Sequence, residues 1–216
     1  NHLDRLKNPE WFEFVDRAKQ QGKIRFSGMS GHGGQLQECI EYALDHDLVD
    51  VILSSHNFGS DPKFYERFTK KFDWVANQAG IRRLFEKAHQ KGVGVIAMKT
   101  QMGAKLNDLS AYEAEGATFQ QAALRWVLSD PNVDAAIISM TSKEVADSYI
   151  RASGKRGLGA SDARVLEHYV RNHAADYCRP GCSRCESACP LGVPIADVLR
   201  QRMYAKRYGN LPLARS

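Results

Sequence analysis

Four short runs along the chain, IRFSGMSG (24–31), VDVILSS (49–55), VGVIAM (93–98) and AAIIS (135–139), are each followed by a stretch with helical apolar spacing. That alternation constrains the fold more than any other feature. Short runs rich in β-branched and apolar residues read as buried strands. Strands that alternate with helices build a parallel sheet through right-handed crossovers. Three architectures satisfy this order: a free-standing four-stranded α/β sheet, a doubly wound nucleotide domain, and one half of an eight-unit barrel. A dinucleotide sheet calls for GxGxxG after a strand; Gly-His-Gly-Gly (31–34) lacks that spacing, which weakens the second option.

The helix boundaries carry their own chemistry. Asn8-Pro9-Glu10 supplies a cap, a proline at the first helical position and an acid in the first turn, and Gly22 ends the run. Thr118–Gln121 and Thr141–Glu144 read as capping boxes, and Ser161 as the cap of a last long helix after the linker GKRGLGAS. The insertion DPKFYERFTKKFDWVANQAG (61–80) reads as partly helical, and residues 99–117 as a loop. Trp11, Phe85 and Trp126 read as core, as does Cys39 on the apolar face of the second helix. Hydrophobic residues make up 43% of the 216 and charged residues 25%, a globular composition with no apolar run long enough to cross a membrane. The net charge is +5; the basic residues Arg200, Arg202, Lys206, Arg207 and Arg215 make an acid-free, solvated tail without the aromatic interleaving of a nucleic-acid binder. The chain starts at Asn1 and shows no export leader.

The stretch CRPGCSRCESACP (178–190) holds four of the five cysteines, Cys178, Cys182, Cys185 and Cys189. The spacing C-x3-C-x2-C-x3-C-P is one residue longer in its first gap than a bacterial ferredoxin run. With one set only, all four sulfurs serve a single [4Fe–4S] cluster on this reading. Pro180-Gly181 supplies a turn, Pro190 blocks helix growth, and Arg179 and Arg184 offset cluster charge. Three alternatives stay open: a structural zinc, which usually pairs two more widely separated knuckles, two disulfides, or a Cys182–Cys185 redox pair.

These segments resemble the aldo/keto reductases, in particular a bacterial branch with a C-terminal iron–sulfur motif. GKIRFSGMSGH (22–32) is similar to that family's fifth strand, VDVILSSHNF (49–58) to the sixth, GVGVIAMKT (92–100) to the seventh, and AALRWVLSDPNVDAAIISMTSKEVADSYI (122–150) to the eighth strand with its flanking helices. CRPGCSRCESACPLGVPIADVLRQRMYAKRYG (178–209) resembles the cysteine tail. The resemblance implies the second half of a (β/α)8 TIM-type barrel, about four βα units in residues 1–152, followed by a helical iron–sulfur tail in 153–216. It implies NADPH-dependent reduction of a small-molecule carbonyl compound. The family's catalytic Asp, Tyr, Lys and His stand on the first four strands, outside these residues; His2 lies after the position of the fourth. Leu53 replaces a glutamine that usually stacks on the nicotinamide.

Barrel ligands sit at strand C-termini, which makes Ser30, Lys99, Ser139, Thr141, Ser142 and Lys143 the cofactor-binding candidates. The Ser30 hydroxyl suits a carboxamide and Lys99 a pyrophosphate. Ser139, Thr141, Ser142 and Lys143 lead into a helix N-terminus, where free N–H groups attract phosphate, and Lys143 favours NADP over NAD. Two other functions fit the same residues: an iron–sulfur electron-transfer protein with a redox partner, and a non-catalytic zinc-binding module. Expected partners are the carbonyl substrate, an electron-transfer partner and the missing N-terminal barrel half, with neither nucleic acid nor membrane. Reduced thiols and a cluster favour the cytoplasm.

Overall fold

A computed structural model describes residues 3–31, 35–61, 80–101, 109–113, 116–154, 157–173, 185–206 and 211–215. A short helix α1 (Leu3–Leu6) leads into α2 (Pro9–Gln20), β1 (Gly28–Ser30), α3 (Leu36–Asp45) and β2 (Val51–Ser55). After a 3-10 turn at Phe58–Ser60 come α4 (Ile81–Gln90) and β3 (Gly94–Met98). A second 3-10 turn at Ser110–Tyr112 precedes α5 (Phe119–Leu128), β4 (Ala135–Ala136) and α6 (Lys143–Ile150). Then follow α7 (Ala160–His173), α8 (Ile195–Lys206) and α9 (Leu211–Ala214). Among the described residues no helix is long and apolar enough to cross a membrane.

The strands form one parallel sheet in the order β1-β2-β3-β4. A doubly wound sheet reverses its strand order at a switch point; these strands follow the chain without reversal, as a barrel does. The register separates two faces. The rows Met29–Ile52–Val95 and Ser54–Ala97–Ala136 face the helices, and Ile52, Val95 and Ala97 are completely buried there. The alternate row Ser30–Leu53–Ile96–Ala135 faces the other way and is half-buried or exposed. In a closed barrel that second face looks inward. Gly28 is required by close approach: a Cβ there would lie 2.6 Å from the Val51 carbonyl oxygen.

Two aspartates pin strand starts. Asp50 accepts from the Ser27 backbone N–H (2.7 Å) and hydroxyl (3.1 Å) and from Lys19 (2.6 Å). Asp134 accepts from the Val95 N–H at 2.7 Å. The helices bury Leu36, Ile40 and Leu44 of α3, Leu84 and Phe85 of α4, Phe119 and Val127 of α5, and Leu166 and Tyr169 of α7 in one core. A buried Arg125–Asp162 ion pair at 2.7 Å ties α5 to α7. Cys39 is 1% exposed and burial pushes its thiol up, so it is the expected core cysteine.

Several local expectations need correction. The fourth strand was expected over 135–139 and is only Ala135–Ala136. Among the described residues it pairs on one side only; Ile137 N–H still reaches the Ala97 carbonyl (2.9 Å) before the backbone leaves. Asn8 and Thr118 cap α2 and α5 as expected. Ser142, not Thr141, caps α6, accepting from the Val145 N–H at 3.2 Å. Ser161 caps nothing; the carboxylate of Asp162 takes the Gly159 N–H, and the Ser161 hydroxyl accepts from Arg164. Phe85 and Trp126 are core, but Trp11 is 55% exposed because the cover over α2 reaches Val15 and Ala18 and stops short of its first turn. Most of the insertion at 61–80 and His2 lie outside the described residues.

Candidate functional site

Because every strand is parallel, their C-termini share one edge. Ser30 closes β1, Lys99 follows β3, and Ser139, Thr141, Ser142 and Lys143 follow β4. All six are exposed. The edge from β1 to β4 spans three strand spacings, about 14 Å. Lys99 forms no ion pair among the described residues. Its backbone stands at φ +56°, a left-handed conformation unusual for lysine. The buried amide of Asn57 donates to the Lys99 carbonyl (3.1 Å) while accepting from the Gly59 N–H (3.0 Å).

The N-terminus of α6 is already partly answered from within the chain. Its Ser142 hydroxyl is engaged in the cap. The Glu144 carboxyl is held below its usual range, first by its own backbone N–H and then by Ser142. An anion arriving there meets this acid as well as the free N–H groups and Lys143.

Beneath the edge lies a polar layer that the sequence reading did not single out: Ser54, Ser55, His56, Asn57, Thr100 and Gln101, all at most 5% exposed. Ser54 Oγ, Ser55 Oγ and Gln101 Nε2 make no hydrogen bond among the described residues. His56 is enclosed by Phe85 and Trp126, with ring centroids at 5.3 and 4.9 Å. Its Nε2 stands 3.3 Å from Asp130 Oδ2, a close approach that is not aligned as a hydrogen bond. Burial pushes the Asp130 carboxyl up; His56, the Asn132 N–H and Arg82 outweigh it, and the group ends below the usual range. His56 has no exposed surface. The signal for this layer was the run Ser-Ser-His-Asn directly after the apolar part of β2.

Of the four clustered cysteines, Cys178 and Cys182 lie outside the described residues, as do Arg179, Pro180, Gly181 and Arg184. Cys185 and Cys189 flank a single 3-10 turn, Glu186–Ala188, closed by Ala188 N–H on the Cys185 carbonyl at 3.1 Å. Both are half-exposed free thiols, unpaired with each other. Two soft sulfur donors one turn apart and open to solvent fit a thiolate-ligated centre. Among the described residues no three His, Cys, Asp or Glu side chains converge as a metal site.

No family model matches the chain. An aldo-keto reductase from Bacillus halodurans in its holo form superposes with a TM-score of 0.50 at 15% identity, covering 72% of this chain and 54% of that one. Its apo form gives 0.49 over 72% and 55%. The chain therefore has an α/β fold like that of the aldo-keto reductase barrel and spans about half of that barrel's length. A "Probable kinetochore protein spc25" from Neurospora crassa is 29% identical over 138 residues, 61% of this chain and 52% of that protein. Nothing in the fold or the site accounts for that likeness.

Proposed function

We propose that the chain is the nucleotide-binding half of an NADPH-dependent aldo/keto reductase-like oxidoreductase that carries a [4Fe–4S] cluster on its cysteine tail. The observation that carries the reading is the in-order parallel sheet, with exposed hydroxyls and two exposed lysines in the segments that follow its strands' C-termini. Ser30 offers a hydroxyl to the carboxamide, Lys99 a cation to the pyrophosphate, and Ser139, Thr141, Ser142 and Lys143 hydroxyls, amides and charge to the 2′-phosphate. NADPH, when bound, supplies a hydride that, with one proton, converts a carbonyl into an alcohol and leaves NADP+. The residues here bind and orient; the proton donor belongs to a further barrel half. Cys178, Cys182, Cys185 and Cys189 hold the cluster, whose one-electron chemistry is its own.

A further four strand–helix units are the partner that the open flanks fit. Trp11, Phe14 and Phe26 are exposed in the chain before β1, and Ile137, Met140 and Ile150 in the chain after β4. Exposed large apolar groups in the chain before and after a sheet whose outer strands pair on one side only, among the described residues, invite strand pairing.

The test is to purify the 216-residue chain without oxygen. The expected result is brown protein with about four irons and four labile sulfides per chain, lost on Cys185→Ser or Cys189→Ser substitution. It quenches or enhances NADPH fluorescence saturably and reduces carbonyl compounds weakly or not at all. Colourless, iron-free protein overturns the cluster; absence of saturable NADPH binding overturns the nucleotide site.

A further inference from the structure

We infer that Asn57 is a positioning residue: it locks the corner after β3 in its left-handed turn and thereby fixes where Lys99 holds its ammonium group at the anion-binding edge. The inference rests on the nucleotide-binding reading above and adds a residue to that site. Asn57 is 1% exposed. Its Oδ1 is committed to the Gly59 N–H, so its Nδ2 must face the other way, and it meets the Lys99 carbonyl from 42 positions earlier in the chain. The adjoining His56 N–H donates to the Met98 carbonyl at 3.0 Å, so the segment after β2 grips two successive carbonyls at the end of β3.

The corner needs this grip. A non-glycine residue at positive φ costs roughly 1–2 kcal/mol, and Lys99 and Asp47 are the non-glycine residues in that region among those described. Glycine would remove the cost, yet the chain places a lysine there. Lys99 is also the exposed member of its corner: Thr100 and Gln101 are 2% and 5% exposed. The strained turn therefore buries Thr100 and Gln101 and leaves Lys99 exposed at the strand end, with no ion pair among the described residues, which suits a pyrophosphate or similar diphosphate group.

The experiment is a double-mutant cycle read by NADPH fluorescence titration, with inorganic pyrophosphate as competitor, beside limited digestion with a lysine-specific protease. Lys99→Gly is expected to weaken NADPH binding about tenfold while holding or raising the melting temperature. Asn57→Ala is expected to weaken binding by a comparable factor with Lys99 present and to change nothing in the Lys99→Gly background. Digestion after Lys99, scored against digestion after Lys91, is expected to accelerate in Asn57→Ala. Asn57→Ser, whose hydroxyl can still cap the Gly59 N–H but is too short to reach the Lys99 carbonyl, gives the same pattern should the alanine variant fold poorly. Equal affinity losses in both backgrounds, or unchanged digestion after Lys99, overturn the positioning role while leaving NADPH binding intact. If the parent chain binds neither NADPH nor pyrophosphate, the nucleotide reading and the presentation of Lys99 fall together, and faster digestion would then mark Asn57 as a structural brace alone.

Discussion

Replacing Tyr169 by alanine is expected to destabilise the whole sheet, although Tyr169 lies beyond the last strand. Its ring is fully buried and meets Phe119 at 4.5 Å, Tyr112 at 5.3 Å and Phe58 at 6.1 Å between centroids. Those three rings belong to α5 and to the segments that follow β3 and β2. Removing a buried aromatic ring typically costs about 3–5 kcal/mol, because the transfer free energy is lost and the cavity closes only in part. For a chain of this length each kcal/mol lowers the melting temperature by about 2–4 °C, so the expected fall is about 6–20 °C. Tyr169→Phe keeps the ring and is expected to cost about 1 kcal/mol. Thermal and urea melts by circular dichroism measure both. A single cooperative transition displaced by the alanine variant shows that α7 and the sheet unfold as one unit. A fall below about 2 °C, well under the cost of an aromatic cavity, refutes the packing argument and makes α7 an appendage.

Arg125→Met leaves the Asp162 carboxylate, 6% exposed, without its cation. It is expected to lose about 3–5 kcal/mol in urea unfolding, much of it recovered by adding Asp162→Asn. Asp50 gives a pH dependence. Burial raises its carboxyl, but Lys19 and the Ser27 N–H and hydroxyl outweigh burial and hold it below the usual range. Its contribution is complete above the unfolded value of about 3.9 and is lost as pH falls through the lower folded value. The urea midpoint is expected to drop on acidification through that window, and less steeply in Asp50→Asn; equal slopes would refute the assignment.

The order of elements was legible because periodicity survives in the sequence: apolar runs at strand spacing and apolar faces at helical spacing are what the core requires. The strand ends were not. AAIIS reads as a full strand, but β4 pairs only with β3 among the described residues, and Ile137 is half-exposed once the ladder ends. Val49-Asp50 and Val133-Asp134 are the signal that was overlooked. Each places an aspartate at a strand entrance, where its carboxylate takes a backbone N–H at or just before the neighbouring strand. Two recurrences of one dipeptide before an apolar run mark a tertiary clamp, which local propensity does not register. The buried polar layer was half legible: Ser-Ser-His-Asn interrupts an apolar strand, but Asp130, 74 residues after His56 in the chain, could be found only in three dimensions.

The candidate edge was legible by residue type and strand end, and one opposing group in it was not. Glu144 was expected as the far member of a Thr141 capping box; with Ser142 as the cap, its own backbone N–H and then Ser142 hold its carboxyl below the usual range at the positive end of the helix. That is also where a phosphate would gain from the helix N-terminus. In the proposed site the two anions would compete, which leaves more of the attraction to Lys143 and Lys99 than to the helix end. Glu144→Gln removes the competitor and preserves the shape of the side chain. It is expected to tighten NADPH binding about two- to fivefold, the range of a single charge at an exposed helix end. The gain should shrink as salt is added, since exposed charges are screened. Fluorescence titrations at low and high salt measure both. Unchanged or weaker binding in Glu144→Gln would show that the phosphate does not approach this helix end, and would move the anion site toward Lys99 alone.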